Sequence, residues 1–158
     1  MAVSRQRIGF APRIAQPPAA WNPARRQHEQ SLAAFVVAKR RERFARSLDD
    51  PGRRAKLHEE LHRFEHRLDP RFAHLHAGRA ATHRARVDEV VALLRSAGAP
   101  PMCFVLAYGE LDGRELILRE AIDSLLWTGS GFISCVAGHL GLYAGEDGSN
   151  VFLLVRDD

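Results

Sequence analysis

The spacing of the apolar residues changes at residues 98–101, and this change divides the chain into two kinds of structure. Before it, apolar residues recur every three or four positions, which is typical of helices with one buried face. After it, residues 102–108 form an unbroken apolar run, which is typical of a strand covered on both faces. Gly98 fits the left-handed position after a helix, and Pro100 and Pro101 prevent the helix from continuing. The sequence therefore predicts a helical first part and a second part built around a sheet.

Capping residues mark the helix starts in the first part. Asp50 can accept hydrogen bonds from the free N–H groups of a helix start, and Pro51 suits the first helical position. Asp69 and Pro70 repeat this arrangement, and Thr82 is a third N-cap. The pattern predicts long helices over residues 28–48 (or from residue 38, because Val36 and Val37 are β-branched), 51–68 and 82–97, with a short helical piece over residues 70–76.

The second part reads as strand, helix and three strands. The strands are predicted at residues 102–108, 132–136, 140–144 and 151–155, and the helix at residues 118–127. Glycine-containing turns separate the last three strands. The predicted fold class is α+β, with three to four Arg-rich helices packed beside a small C-terminal sheet of order β-α-β-β-β.

Three segments of different composition follow from this reading. Residues 1–27 form a basic, proline-containing tail that we expect to be mobile. Residues 28–98 form an Arg- and His-rich helical segment, and residues 99–158 form an acidic α/β segment. We expect residues 28–158 to share one core, because neither half alone has much interior to spare.

Positive charge is concentrated in the first part. Residues 1–98 carry 20 Lys and Arg against 10 Asp and Glu, a net of +10, whereas residues 99–158 carry 3 against 9, a net of −6. Arginine pairs well with phosphate and carboxylate, so the basic part can bind nucleic acid, an acidic protein surface or a second copy of the chain. The plainer interpretation is a solvated surface without a ligand. The candidate binding residues are Arg40, Arg41, Arg43, Arg53 and Arg54, with Trp21 as an aromatic anchor in the tail.

The segment His58-Glu59-Glu60-Leu61-His62 matches the zinc-protease pattern H-E-x-x-H. Its chemistry needs two imidazoles one helical turn apart and a glutamate that activates the bound water. His66 continues the row as a third candidate ligand. Each step of the row turns by about 40° around a helix, so that the three imidazoles converge poorly on one ion. The match is therefore a weak alternative.

Cys135 and His139 are the weak alternative for a catalytic pair, a thiolate activated by an imidazole. With a two-residue turn at residues 137–138, Cys135 would face Leu140 and share the core side of its strand, while His139 would point to the other side. Cys103 lies in the apolar run of residues 102–108 and is most simply buried. The sequence therefore predicts two buried, reduced cysteines.

Five acidic residues cluster around the predicted loop between the first strand and the helix: Glu110, Asp112, Glu115, Glu120 and Asp123. They suit either a cation or acid–base site, or a turn at Asp112-Gly113 that leads toward the next helix. The turn interpretation is preferred, because turn chemistry alone accounts for these residues.

No apolar run approaches the ~20 residues that a membrane helix needs, and the N-terminus lacks the apolar stretch of a secretory signal. The sequence therefore predicts a cytoplasmic protein without a membrane partner. We expect a non-enzymatic binding or regulatory protein that has no cofactor and meets an acidic protein surface or a second copy. The alternatives are a nucleic-acid-binding protein and a metal- or cysteine-dependent hydrolase.

Overall fold

A six-stranded sheet forms the centre of the computed structural model, which describes residues 22–78, 80–128, 130–145 and 150–157. Every neighbouring pair of strands is antiparallel, and the strand order is β1-β6-β5-β4-β2-β3. The strands are β1 (Ala73–His76), β2 (Met102–Ala107), β3 (Glu115–Ile117), β4 (Gly131–Val136), β5 (Leu140–Ala144) and β6 (Val151–Val155).

Helices cover both faces of this sheet. They are α1 (Pro23–Ser31), α2 (Arg41–Asp49), α3 (Pro51–Glu60), α4 (His83–Ser96) and α5 (Leu118–Thr128). Short 3₁₀ segments connect several of them, at Leu32–Phe35, Ala38–Arg40, Leu61–Arg67 and Gly109–Leu111. The predicted α+β class is confirmed. None of the helices in the described ranges is long and apolar enough to cross a membrane.

The two faces of the sheet carry two separate hydrophobic clusters. On one face, α4 and α5 pack against Val105, Ile133 and Leu142. On the other face, α2, α3 and the 3₁₀ segments Leu32–Phe35 and Leu61–Arg67 pack against Phe132 and Tyr143, and His28 of α1 contacts Ser134. This alternation follows from the strand period of two, which sends neighbouring side chains to opposite faces.

The predicted helix over residues 28–48 is interrupted. The chain is extended at Val36, which bridges to Leu68, and helical structure resumes at Ala38. The β-branched Val36 and Val37 favour this break. At the other end, α1 begins at Pro23 after the N-cap Asn22, inside the segment assigned to the tail, and residues 1–21 lie outside the described residues.

The predicted helical piece over residues 70–76 is wrong. Asp69 starts a turn in which its carbonyl oxygen accepts from the N–H groups of Phe72 and Ala73, and the chain then enters β1. Pairing with β6 stabilises β1, and this partner lies about 80 residues away along the chain, out of reach of a local pattern. The short strand β3, which pairs with β2 before α5 begins, was also not predicted.

The β4–β5 hairpin has a three-residue loop, whereas the expected orientations of Cys135 and His139 were conditional on a two-residue turn. Val136 pairs with Leu140, and the register shifts between Ser134 and Val136. Cys135 and Leu140 nevertheless lie in the same hydrophobic cluster, because the irregularity in β4 compensates for the longer loop.

Candidate functional site

A cavity of about 380 Å³ opens between α2, α3 and the 3₁₀ segment Leu61–Arg67. We call it the basic cleft, because six of its eleven lining residues are Lys or Arg. The basic residues are Arg40, Arg43, Arg46, Arg53, Lys56 and Arg67, and the remaining ones are Phe44, Ser47, Leu57, Glu60 and Phe64.

The local sequence explains why these side chains meet. Asp50 accepts from the N–H groups of Gly52 and Arg53, which starts α3 directly after α2, and the two helices pack against each other. Within each helix, the lining residues recur every three or four positions, so they share one face of that helix. The two faces meet across the cleft.

Aromatic side chains form a firm floor under the cleft. The ring centroids of Phe44 and Phe64 are 5.4 Å apart, and both rings lie within 6 Å of the ring of Phe132 on the sheet, at 5.9 and 5.6 Å. Tilted and edge-to-face contacts at such distances are favourable for aromatic pairs. The floor is therefore attached to the central sheet.

Tyr143 fixes the 3₁₀ segment that closes one side of the cleft. Its phenolic oxygen accepts from the N–H of Phe64 at 3.1 Å, and its O–H donates to the carbonyl oxygen of Leu61. Burial raises the pKa of Tyr143 to about 12, so the phenol keeps its proton. One buried side chain thus satisfies two backbone groups of the cleft wall.

Half of the basic residues in the cleft lack an acidic partner. Arg67 pairs with Glu60 at 2.7 Å, Arg46 with Glu42 at 3.3 Å, and Arg53 approaches Asp50 at 3.9 Å. The last two pairs are exposed and therefore weak. Within the described ranges, the side chains of Arg40, Arg43 and Lys56 make no ion pair. The cleft thus has positive charge that is free to meet an anion.

Two of the predicted binding residues are used inside the fold instead. Arg54 donates to both carboxylate oxygens of Glu29, at 2.9 and 2.7 Å, and to both of Asp112, at 3.0 Å each. Arg41 donates to the carbonyl oxygen of Val36 at 2.8 Å and to Asp69 at 3.1 Å. Neither side chain lines the cleft, and neither guanidinium group is available to bind a ligand there. Trp21 lies outside the described residues.

The partners of Arg54 belong to a buried ion network, which consists of Arg25, Glu29, Arg54, His58 and Asp112. Burial lowers the pKa of Arg54, but its hydrogen bonds to the two carboxylates outweigh this and leave the pKa above its ordinary value. Burial alone would raise the pKa of Asp112, but the contacts with His58 and Arg54 have the larger effect. The pKa of Asp112 is therefore below its ordinary value, and its carboxylate stays ionised. The network ties α1, α3 and the loop after β2 together.

The structure does not bring His58, His62 and His66 to one point. α3 ends at Glu60, and the tighter 3₁₀ turn that follows changes the direction of the later side chains. His58 Nε2 is buried 3.0 Å from Asp112 Oδ2 without hydrogen-bond alignment, whereas His62 contacts Arg63 and His66 is exposed. No group of three or more His, Cys, Asp or Glu side chains in the described ranges could hold a metal ion.

Cys135 and His139 are likewise separated. Cys135 is buried, and burial raises the pKa of its thiol to about 12, so that it is protonated near neutral pH. His139 is exposed in the hairpin loop, with Nδ1 3.1 Å from the carbonyl oxygen of Arg156. Burial also raises the pKa of the Cys103 thiol. Both cysteines are free, buried and held as thiols.

One polar contact that the sequence did not suggest joins α1 to the sheet. His28 Nδ1 lies 2.8 Å from the hydroxyl oxygen of Ser134, and the His28 ring lies against Phe104 with centroids 4.7 Å apart. Ser134 is only 2% exposed, so its hydroxyl is closed to a substrate. The two positions are 106 residues apart in sequence, which explains why no local motif reveals the pair.

Sequence reasoning found half of the cleft. Arg40, Arg43 and Arg53 were predicted as binding residues and do line it, whereas Arg46, Lys56 and Arg67 were missed. The spacing of three residues from Arg43 to Arg46 and from Arg53 to Lys56 was the available signal, because it places each pair on one helix face.

Comparison of the chain with protein-family models, with curated proteins and with solved structures found no match. The function therefore has to be inferred from the cleft and its surroundings.

Proposed function

We propose that this chain is a non-enzymatic binding protein whose basic cleft takes an acidic segment of a partner protein. The observation that carries the proposal is the group of cations around a concave floor that have no acidic partner among the described residues, namely Arg40, Arg43 and Lys56. A cavity of about 380 Å³ is within the size range of ordinary ligand sites. Complementary charge would give such a contact its specificity and a fast association rate.

The shape of the floor favours carboxylates over nucleic acid. Proteins that hold single-stranded nucleic acid commonly stack the bases on exposed aromatic faces. The floor residues Phe44 and Phe64 are only 3% and 2% exposed, so they leave almost no open ring surface on which a base could stack. Nucleic acid remains the second candidate, because arginine also pairs well with backbone phosphates.

The N-terminal segment of the chain does not complement the cleft. Residues 1–21 contain Arg5, Arg7 and Arg13 and no acidic residue, so their charge has the same sign as the cleft. The complementary charge has to come from an acidic segment elsewhere.

The test measures binding of a labelled poly-glutamate peptide by fluorescence anisotropy. We expect the double variant Arg43→Glu/Lys56→Glu to weaken binding about tenfold or more, because two attractive contacts become repulsive. The matched control is Arg84→Glu/Arg95→Glu, which changes the net charge equally at exposed positions of α4, on the other face of the sheet. The control is expected to keep most of the affinity, and binding is expected to weaken with added salt.

Two results would overturn the proposal. The first is no binding of poly-glutamate at low salt, or an equal loss in the cleft variant and the control. The second is tighter binding of a single-stranded or duplex oligonucleotide that the cleft variant abolishes, which would transfer the function to nucleic acid.

A further inference from the structure

The outward face of α5 carries an exposed tryptophan beside two carboxylates. Trp127 is 77% exposed, the highest value among the large hydrophobic residues of the described ranges. Glu120 and Asp123 are exposed as well, three residues apart and on the same side of the helix as Trp127. The opposite side of α5 supplies the core residues Ile122 and Leu125, whereas Trp127 contacts only the edge of the protein, where its ring lies 5.2 Å from the ring of His83.

Residues at positions i, i+3 and i+7 of a helix form the usual contact face of a helix that lies in a groove. Glu120, Asp123 and Trp127 stand at these positions. Tryptophan is also among the residues that contribute most to binding at protein interfaces. The face therefore has the character of a docking surface, with acidic residues followed by an aromatic anchor.

We propose that the basic cleft binds α5 of a second copy of this chain. The inference rests on the proposed function, because it identifies one acidic segment that the cleft takes. Glu120 and Asp123 of one copy pair with the cations of the other, and Trp127 follows them into the cleft.

The spacing of the cations suits a helix. Two cations of each helix stand three residues apart on the face that lines the cleft, Arg43 and Arg46 on α2 and Arg53 and Lys56 on α3. A helix rises about 1.5 Å per residue, so the two cations of each helix are about 4.5 Å apart along its axis, which equals the rise from Glu120 to Asp123. Alternate residues of an extended strand are about 6.6 Å apart and fit this spacing less well.

The remaining part of the cleft suits Trp127. When Asp123 pairs with Arg43, Trp127 reaches about 6 Å further along the axis of α5. Arg40, which lines the cleft three residues before Arg43, has no ion pair within the described residues. A guanidinium over an indole ring is a favourable cation–π contact.

The contact is head-to-tail, because the basic cleft and α5 lie over opposite faces of the sheet. One copy therefore offers its cleft to a second copy and its α5 to a third.

Within one chain, Asp123 already contacts His83, and Arg119 pairs with Asp88 beside it. Since the charges on both surfaces are exposed, we expect the association to weaken with salt.

Analytical ultracentrifugation tests the inference with two variants that interrupt different sides of the contact. Arg43→Glu/Lys56→Glu removes the cleft side, and Glu120→Lys/Trp127→Ala removes the helix side at exposed positions. The unchanged protein is expected to associate with rising concentration, and each variant alone is expected to stay monomeric. Mixing the two variants should give a one-to-one dimer, because one variant keeps an intact α5 and the other an intact cleft.

A folded unchanged protein that stays monomeric at all concentrations overturns the inference. Association that neither variant reduces, or a mixture of the variants that forms no dimer, overturns it as well. If poly-glutamate still binds to the cleft in any of these cases, the proposed function stands and only the identity of the partner is wrong. Circular dichroism of each variant checks that the fold is retained.

Discussion

At the scale of single residues, Arg54 shows how an arginine can be withdrawn from binding by distant parts of the chain. Its side chain is 12% exposed and holds Glu29 and Asp112, the second of which lies 58 residues away. Removing one partner from a buried ion pair leaves an uncompensated charge, which costs more than the pair contributed. The buried ion network is therefore a point where small changes should have large effects.

We expect Glu29→Gln to lower the free energy of unfolding by about 3–5 kcal/mol, because the buried Arg54 loses its closest carboxylate. Urea denaturation followed by circular dichroism measures the change. Glu42→Gln is the matched control, since the Glu42 side chain is 84% exposed and its pair with Arg46 should contribute less than about 1 kcal/mol. Equal losses in the two variants would contradict the role of the network.

The His28 side chain should make stability depend on pH. Burial lowers the pKa of His28, and the charge of Glu115 opposes this only in part. The unfolded chain therefore binds the proton at a higher pH than the folded protein does. The free energy of unfolding should fall as the pH is lowered from about 7 toward 5, since an unperturbed histidine has a pKa near 6.5.

Replacing His28 by glutamine should flatten this part of the pH dependence, because the group that titrates differently in the two states is gone. Thermal melts across the pH range measure the slope. His66→Gln, at an exposed position, is the control and should leave the slope nearly unchanged. A slope that persists in His28→Gln would show that other groups cause it.

Tyr143→Phe should lower the free energy of unfolding by about 1–3 kcal/mol, because the buried N–H of Phe64 and carbonyl oxygen of Leu61 lose their partner. Chemical denaturation gives the value. Tyr108→Phe removes a hydroxyl from a side chain that is 70% exposed and should change little. A loss confined to Tyr108→Phe would contradict the assignment of Tyr143 to the cleft wall.

At the scale of the elements, local signals were reliable where the chain supplies its own hydrogen bonds. Asp50 and Thr82 cap α3 and α4 as predicted, and Gly98 has the expected left-handed backbone with φ +102°. The edge strand β1 was missed because it is short and is stabilised by β6, about 80 residues away along the chain. The edge strand β3 was missed because it has only three residues. The orientation of Cys135 was argued for a two-residue turn, whereas the loop has three residues and the register shifts between Ser134 and Val136.

The loop between β2 and β3 contains a glycine that two requirements fix. Gly113 has φ +75°, and a Cβ atom there would lie 2.1 Å from the guanidinium carbon of Arg25. Gly98 also has a positive φ, but its Cβ would meet nothing within 4 Å. An alanine at Gly98 would therefore suffer backbone strain alone, whereas an alanine at Gly113 would also collide with Arg25 of the buried ion network.

We expect Gly98→Ala to cost about 1–2 kcal/mol through backbone strain alone. Gly113→Ala should cost roughly 2–5 kcal/mol, because it adds overpacking and pushes Arg25 away from Glu29. The melting temperature and urea midpoint of each variant give the comparison. Equal costs would show that Arg25 moves aside freely.

At the scale of the whole molecule, the charge division along the sequence does not become two separate halves. α4 belongs to the basic part of the sequence, yet it packs with α5 of the acidic part on one face of the sheet. α1–α3 cover the other face, where Arg54 meets Asp112 of the acidic part. Six Lys and Arg side chains of the first part therefore meet in one cleft, while others, such as Arg84 and Arg95, lie exposed on the other face of the sheet.

Three of the six basic residues of the cleft could be predicted from the sequence, for a physical reason. Arg40, Arg43 and Arg53 follow from charge and helix position, which a sequence displays directly. The sequence could not show that Arg41 and Arg54 are occupied inside the protein. Their partners Asp69 and Asp112 are brought near them only by the tertiary fold. Long-range pairing of this kind carries no periodic signal.

Because the basic cleft and α5 lie over opposite faces of the sheet, every copy in a row of associated molecules contacts one neighbour through its cleft and another through its α5. A directional contact that fails to close into a ring leaves one vacant cleft at the end of every row, whatever the length of the row. An acidic ligand from outside would fill that vacancy and act as a chain terminator. The ratio of ligand to protein would then set the average particle size, which links the two proposed roles of the cleft through simple competition.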